Sequence, residues 1–223
     1  MNLALFDLDN TLLPLDSDYE WGQFLVRAGA VDADAFSKRN QEFFEQYQNG
    51  TLNPIEYLEF TFGTLSRFPR QQLDEWHAQF MAKIIQPAIH SVARALVHEH
   101  QSAGDLVAII TATNRFVTAP IAQAFNVPHL IAAEPEVRDG GEITGRLIGT
   151  PPFGKGKVVN THEWLATLGK TLESFERSTF YSDSQNDIPL LSVVTNPVAT
   201  NPNASLRAHA VLHNWPILQL FDD

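Results

Sequence analysis

Two carboxylates stand two residues apart directly after a short apolar segment at the start of the chain. Residues 2–6 form the segment, and Asp7, Asp9 and the hydroxyl of Thr11 follow it. Such segments are typical of buried strands in a parallel sheet, whose ligands lie beyond the carboxyl ends of the strands. Because buried carboxylates need a compensating cation or substrate, the pair could bind a hard metal ion, and one carboxylate could act as a nucleophile. Taken alone, the pair could also cap a turn.

Further reactive side chains follow later apolar segments. In chain order they are Thr111, Lys155, Lys157, Asp183 and Asp187. Because parallel strands end at one edge of a sheet, we expect these groups to meet the first carboxylate pair there. Carboxylates bind Mg²⁺, and a hydroxyl and an ammonium bind phosphate oxygens. The set therefore indicates phosphoryl-transfer chemistry, and the lack of a Gly-x-x-x-x-Gly-Lys-Ser/Thr motif argues against a nucleotide-binding P-loop.

A helical region is predicted directly after the first strand. As far as about residue 86, apolar residues recur at helical spacing and predict four amphipathic helices. These helices are separated at Gly29, Asn49-Gly50, Asn53-Pro54 and Phe68-Pro69. We expect a small helical bundle with its own core. The predicted domains are a core domain of residues 1–12 and 87–223, and a cap domain of residues 13–86.

The rest of the chain alternates between predicted helices and strands. Strands are expected at 106–110, 129–133 and 178–181, and helices at 91–101, 114–125, 156–168 and 187–193. This alternation is typical of an α/β fold with a Rossmann-like, doubly wound parallel sheet. Asp139-Gly140-Gly141 predicts a hairpin turn, and the Gly and Pro residues from 145 to 154 predict a long loop.

The composition excludes several classes of protein. The chain has 223 residues, and its lack of cysteine excludes disulfides, thiolate metal sites and cysteine catalysis. Its net charge of -11 and the lack of a basic run argue against a nucleic-acid partner. No segment approaches the roughly 18 apolar residues of a membrane span, and no leader-like segment is visible. We therefore expect a cytoplasmic protein, monomeric or homodimeric, with no nucleic-acid or membrane partner.

Four segments, in order, resemble the motifs of the haloacid dehalogenase (HAD) superfamily of aspartyl phosphatases. They are Asp7-Leu8-Asp9-Asn10-Thr11, Ile109-Ile110-Thr111, a lysine before a helix, and Ser182-Asp183-Ser184-Gln185-Asn186-Asp187. The helical insert after the first motif is similar to the cap of the phosphoserine-phosphatase-like branch, subfamily IB. The resemblance spans the whole chain. It implies a phosphoric monoester hydrolase with an α/β core, a helical cap and Mg²⁺ as cofactor.

The resemblance also implies a mechanism. Asp7 would be the nucleophile that forms an aspartyl-phosphate, and Asp9 would be the general acid and base. Thr111 would bind the phosphoryl group. The metal ligands would be Asp7, the main-chain carbonyl of Asp9 and Asp183, with Asp187 supporting them from behind.

Two lysines compete for the third motif. Lys155 fits the pattern Lys-Gly-x-apolar-apolar, and Lys157 fits the pattern Gly-Lys-Val. We favour Lys157, because the second pattern matches a subgroup of small bacterial hydrolases within the resembling branch. The other lysine would be a solvated residue at the start of the helix.

The substrate contacts depart from those of the resembling phosphoserine phosphatases. There, an acidic residue meets the substrate amine and a cap arginine meets its carboxylate; aligned without gaps, these positions fall on Asp16 and Glu59. An anion in place of the arginine favours a small cationic amino-alcohol phosphate, such as histidinol phosphate. Alternatively, Glu59 simply faces solvent. Ala112, Thr113 and Asn186 are further candidates for substrate binding.

Other functions stay open at this point. One is phosphoserine hydrolysis with a rearranged cap, and another is transfer of the phosphoryl group to an acceptor other than water. A third, of a different class, is a non-catalytic regulatory or binding protein on the same scaffold. The intact Asp7, Asp9, Asp183 and motif lysine argue against the third.

Overall fold

A seven-stranded sheet forms the centre of the molecule, which we describe from a computed structural model over residues 1–221. Its strands are β1 (Leu3–Phe6), β2 (Leu106–Asn114), β3 (His129–Val137), β4 (Ile143–Ile148), β5 (Ser178–Ser182), β6 (Asn196–Thr200) and β7 (Ile217–Leu218). The strand order is β4-β3-β2-β1-β5-β6-β7, and only β4 runs antiparallel to its neighbour. The sheet confirms the predicted α/β, Rossmann-like class.

The first strand lies in the middle of the sheet. In β1, Phe6 is aligned with Ile109 of β2 and with Tyr181 of β5. The residues that follow these three strands are therefore brought to one edge. Successive residues of β1 face opposite sides, so that Ala4 and Phe6 belong to one apolar core and Leu3 and Leu5 to the other.

Four helices follow β1 before the chain returns to the sheet. They are α1 (Ser17–Arg27), α2 (Ala33–Gln48), α3 (Pro54–Leu65) and α4 (Arg70–Phe80). The side chains of Asp16, Asp32 and Asn53 accept hydrogen bonds from the first turns of α1, α2 and α3, which is why these helices begin where they do. The four predicted helices and the breaks between them are confirmed.

The remaining helices belong to the layers on either side of the sheet. A π-helical turn (Met81–Ile85) leads into α5 (Gln86–Ala88), and then come α6 (Ser91–Ser102), α7 (Arg115–Ala124), α8 (Lys155–Thr167), α9 (Ile188–Leu191) and α10 (Ala204–His213). Asn114 caps α7 by accepting from the N–H of Val117 at 3.0 Å, as expected. Within residues 1–221, no helix has both the length and the apolar character to cross a bilayer.

The antiparallel hairpin of β3 and β4 differs from its prediction. A strand of residues 129–133 was expected, but β3 continues to Val137, because its last residues pair with β4. The predicted loop of residues 145–154 is wrong in its first part, since β4 continues to Ile148. A Cβ on Gly145 of β4 would lie 3.6 Å from Cα of Gly63, so the hairpin reaches α3 of the cap.

Candidate active site

Lys157 lies at the centre of the site. Its Nζ donates to Asp7 Oδ1 at 2.8 Å and to Asp187 Oδ2 at 2.6 Å, and all three residues are at most 3% exposed. Burial disfavours the ammonium, but the charges of Asp187 and Asp7 outweigh it and raise the pKa of Lys157 above its ordinary value. Lys155, one residue before Gly156, is exposed. Of the two candidate lysines, the structure brings Lys157 to Asp7.

Asp9 is held from both of its oxygens. The N–H of Ser17, at the start of α1, donates to Oδ1 at 2.7 Å, and the hydroxyl of Thr113 donates to Oδ2 at 2.8 Å. Burial and the charge of Asp16 raise the pKa of Asp9 to about 6, although these hydrogen bonds lower it. Thr113, a candidate for substrate binding, lies beside the catalytic pair, and its hydroxyl orients Asp9.

Thr11 joins the first and the last motif. Its Oγ1 donates to Asp183 Oδ1 at 3.3 Å and accepts from the N–H of Asp183 at 3.0 Å. Beside it, Ser182 donates to Asp187 Oδ2 at 2.7 Å. Thr111 is buried at the end of the apolar part of β2, with its hydroxyl accepting from the N–H of Thr113 at 3.1 Å. The residues expected at the sheet edge therefore do lie together.

The carboxylates of this cluster are short of positive charge. Burial raises the pKa of Asp7 to about 7 even though Lys157 lowers it. Burial and the charge of Asp7 raise the pKa of Asp183 well above its usual range. Among residues 1–221, Lys157 pairs with Asp7 and Asp187, and Asp183 has no ion-pair partner. Protonation or a further cation must compensate this charge.

A divalent cation would supply the positive charge that these carboxylates lack. In the described part of the chain, no three His, Cys, Asp or Glu side chains are arranged to hold a metal ion. The donors near Asp183 would instead be two carboxylates, Asp7 and Asp183, with the main-chain carbonyl of Asp9. Oxygen donors completed by water are what Mg²⁺ prefers.

A cavity extends from these carboxylates into the cap. Asp7, Asp9, Thr111, Ala112 and Thr113 line its core side. The cap and the loop before α8 supply the remaining residues that line it, namely Asp16, Asp18, Tyr19, Asn40, Phe43, Phe44, Tyr47, Leu52, Pro54, Tyr57, Leu58, Pro151 and Phe153. None of these lining residues is Lys or Arg. The space for solvent inside it is about 50 Å³, below the roughly 300–1,000 Å³ of common small-molecule pockets.

Two acidic side chains from the start of α1 face this cavity. Asp16 Oδ1 accepts from the N–H groups of Asp18 and Tyr19 at 3.1 and 2.8 Å, so it also caps the helix. Asp18 is 4% exposed, and it accepts from the hydroxyl of Tyr57 at 2.7 Å and from Nδ2 of Asn114 at 3.1 Å. Burial raises the pKa of Asp16 to about 6 and that of Asp18 to about 7.

The structure corrects two of the expected substrate contacts. Glu59 of α3 is exposed and does not line the cavity, although its neighbours Tyr57 and Leu58 do. Successive helical residues point about 100° apart, so a small difference in helix orientation turns an aligned position out of the site. Asn186 also does not line the cavity; its Nδ2 donates to the carbonyl of Tyr47 at 3.3 Å and so ties the last motif to α2.

Three contributors were not found from the sequence. Asp18 and Tyr57 carried no motif, and only the packing of α3 against α1 brings them together. Tyr47 lies close enough to Asp183 and Asp7 that burial and these charges raise its pKa. The sequence signal that covers these residues is the apolar spacing of the predicted helices, which indicates a bundle core and does not indicate a cavity.

Together, the fold and the site define an α/β protein with four helices inserted after its first strand and with buried carboxylates and a lysine gathered at the end of that strand. The chain belongs to the haloacid dehalogenase-like hydrolase family, whose sequence model matches residues 4–192. It is an enzyme of the phosphatase class within that family.

Two sequence relatives span almost the whole chain. A histidinol-phosphatase of Neisseria meningitidis serogroup C (strain 8013) is 43% identical over 217 residues, which cover 97% of this chain and 98% of the relative. A phosphoserine phosphatase of Mycobacterium tuberculosis (strain ATCC 25618 / H37Rv) is 32% identical over 225 residues, covering 96% of this chain and 69% of the relative.

Solved structures share the fold. The crystal structure of a protein of unknown function from Bordetella pertussis Tohama I matches with a TM-score of 0.93 and 50% identity over 99% of both chains. A phosphoserine phosphatase with a phospho-aspartyl intermediate analogue matches with a TM-score of 0.69 and 18% identity, over 99% of this chain and 94% of that one. At that identity, the match concerns the fold alone.

Proposed function

We propose that this protein is a Mg²⁺-dependent phosphatase that hydrolyses histidinol phosphate through an aspartyl-phosphate intermediate. The observation that carries the proposal is the charge of the cavity. Beyond the catalytic cluster, its walls hold the carboxylates of Asp16 and Asp18 among aromatic side chains, and none of the lining residues is Lys or Arg. Such walls favour a cationic or aromatic group and disfavour a carboxylate.

The core residues account for the reaction. Asp7 attacks the phosphorus atom and forms the aspartyl-phosphate, while Lys157, bonded to Asp7 Oδ1, offsets the charge of the transferred oxygens. Asp9, fixed by Ser17 and Thr113, donates a proton to the leaving alkoxide. It then removes a proton from the water that hydrolyses the intermediate.

Three further residues support these steps. Thr111 binds the phosphoryl oxygens, and Asp187 holds Lys157 in place through its 2.6 Å contact. Asp7, Asp183 and the carbonyl of Asp9 would hold Mg²⁺, which when bound supplies charge stabilisation to the phosphoryl group. In the cap, Asp16 meets the substrate amine. Ala112 contributes to the wall beside the phosphoryl group.

The more similar of the two sequence relatives described above supports this choice of substrate. The 43% identical relative is named a histidinol-phosphatase and is covered over 98% of its length. Histidinol phosphate has an amine and an imidazole ring but no carboxylate. Phosphoserine has a carboxylate, for which the cavity walls provide no cation. A metabolic phosphatase of this kind would act in the cytoplasm without nucleic-acid or membrane partners.

The test is to measure phosphate release from histidinol phosphate and from phosphoserine, each with Mg²⁺ and with a chelator. We expect kcat/KM to be larger for histidinol phosphate and activity to vanish in chelator. A preference for phosphoserine would overturn the proposed substrate. Activity that survives chelation would overturn the metal requirement, and an Asp7→Asn variant that keeps its activity would overturn the intermediate.

A further inference from the structure

Asp18 differs from Asp16 in how it is held. Asp16 caps α1 and is followed by Ser17, whose N–H bonds to Asp9, so Asp16 lies next to the catalytic carboxylates. Asp18 projects from the same helix toward the cap and the start of α7. There it is fixed by Tyr57 and Asn114, one donor on each oxygen. Since a carboxylate oxygen has two acceptor sites, both oxygens of Asp18 keep capacity for a further donor.

An aromatic wall adjoins this carboxylate. The ring of Tyr57, which bonds to Asp18, packs edge-on against Phe43 at a centroid distance of 5.2 Å. Both rings line the cavity together with Phe44, which in turn packs against Tyr19 at 4.8 Å. Flat apolar surfaces beside a buried acceptor suit a planar heterocycle that carries an N–H group.

On these grounds we propose that Asp18, Tyr57 and Phe43 form a subsite for the imidazole ring of the substrate, in which an imidazole N–H donates to Asp18. This inference rests on the proposed function and deepens it. It assigns the two nitrogen-bearing groups of the substrate to two carboxylates. Asp16, beside the catalytic carboxylates, takes the amine that neighbours the phosphate ester, and Asp18, farther into the cap, takes the ring. Asp18 is thus a residue that determines specificity.

Truncated substrates separate the two contacts. The compound 2-aminopropyl phosphate keeps the amine and lacks the ring, whereas 3-(imidazol-4-yl)propyl phosphate keeps the ring and lacks the amine. For each enzyme variant, the kcat/KM ratio of histidinol phosphate to the first compound gives the contribution of the ring. The ratio to the second compound gives the contribution of the amine.

We expect Asp18→Asn to reduce the contribution of the ring about 10- to 100-fold, the range for one charge-assisted hydrogen bond. The contribution of the amine should also fall, but by a factor several times smaller than that for the ring. Tyr57→Phe keeps the ring of the wall and the charge of Asp18 but removes one of its donors. This variant should reduce the contribution of the ring by a smaller factor, and it serves as the second test if Asp18→Asn does not fold.

Glu59→Gln is the matched control, because it removes one negative charge from the cap at an exposed position outside the cavity. It should leave both ratios unchanged.

If wild-type enzyme prefers histidinol phosphate to both truncated compounds and Asp18→Asn keeps the full contribution of the ring, the subsite is overturned and the proposed function stands. If Asp18→Asn lowers only the contribution of the amine, the assignment is reversed and therefore wrong. If wild-type enzyme does not prefer histidinol phosphate, both proposals fail.

Discussion

Among single residues, Lys157 has the most demanding position, because one buried ammonium serves two buried carboxylates. We predict that Lys157→Met lowers kcat roughly 10²- to 10³-fold, since the transferred oxygens lose a fixed positive charge. Steady-state hydrolysis of a generic phosphate ester measures the effect. Lys155→Met is the matched control: Lys155 is exposed, and its removal should change kcat by less than about twofold. The opposite result would make Lys155 the motif lysine.

The raised pKa of Asp18 leads to a prediction about how the free energy of unfolding depends on pH. Burial, with the charge of Asp9, raises its pKa to about 7 in the folded protein, whereas an unfolded chain has about 3.9. A raised pKa means that the folded state binds the proton more tightly. The resulting stabilisation is complete below about pH 4 and is lost as the pH rises through about 7.

Metal-free wild-type protein should therefore lose stability relative to Asp18→Asn between about pH 4 and 7, by up to about 1.4 kcal/mol per pH unit. Urea unfolding of both proteins in chelator at several pH values measures this difference. Because the other titrating carboxylates are present in both proteins, they largely cancel. A difference in the free energy of unfolding that does not vary with pH would contradict the prediction.

The residues that meet at the sheet edge could be predicted from the sequence, and most residues of the cap cavity, other than Asp16, could not. Asp7 and Asp183 directly follow strands and Thr111 lies in the second half of β2, and the end of a parallel strand has a known place in the sheet. Glu59 and Asp18 lie on helices whose rotation about their own axes is set by packing. The sequence gives the apolar stripe of a helix, but it does not say which of two flanking polar residues turns toward a cavity shared with another helix.

At the scale of elements, the first turn of α8 depends on a glycine. A Cβ on Gly156 would lie 1.9 Å from the carbonyl oxygen of Pro151, a main-chain atom that has little room to yield. We predict that Gly156→Ala destabilises the protein by about 1–3 kcal/mol. It should also lower kcat, because the displaced turn carries Lys157.

Gly63→Ala gives a control of the same chemical change in a helix. A Cβ there meets nothing within 4 Å, so alanine should stabilise α3 by up to about 1 kcal/mol. Chemical unfolding and kcat of the two variants are compared side by side. Equal effects of the two substitutions would contradict the importance of the contact between Gly156 and Pro151.

The elements themselves were predicted where local signals are strong. Asp16, Asp32 and Asn53 stand directly before α1, α2 and α3, and their side chains accept hydrogen bonds from the first turns. Asp and Asn are favoured at this position in helices generally. The ends of β3 and β4 were missed, because these strands are extended by pairing with each other. Glu134 pairs with Ile148 across the hairpin, and no local property of either residue indicates which residue it pairs with.

At the scale of the whole molecule, the end of α2 and the turn after it contact the last motif, residues 182–187. A Cβ on Gly50 would lie 3.0 Å from Nε2 of Gln185, and the carbonyl of Tyr47 accepts from Asn186. Because the space for solvent in the cavity is small, we predict that this contact opens during turnover. We predict that joining cysteines at positions 50 and 185 with a short bis-maleimide abolishes hydrolysis.

The absence of cysteine in the natural sequence makes this experiment specific. Before the reagent is added, the double variant Gly50→Cys, Gln185→Cys should hydrolyse histidinol phosphate. Each single variant treated with the same reagent is the control and should keep its untreated rate. Full turnover in the cross-linked protein would show that substrate enters by another route.

The residues that line the cavity are unevenly distributed along the chain. Apart from the core side and the loop before α8, every residue that lines the cavity comes from one continuous stretch, Asp16 to Leu58. The groups proposed to act on the phosphate come from the ends of β1 and β5, from β2 and from the first turn of α8. On the proposed function, a gene for this enzyme would therefore encode its choice of substrate in one continuous segment. Recombination of that piece between relatives could supply a new specificity in one event, while the chemistry passes on unaltered.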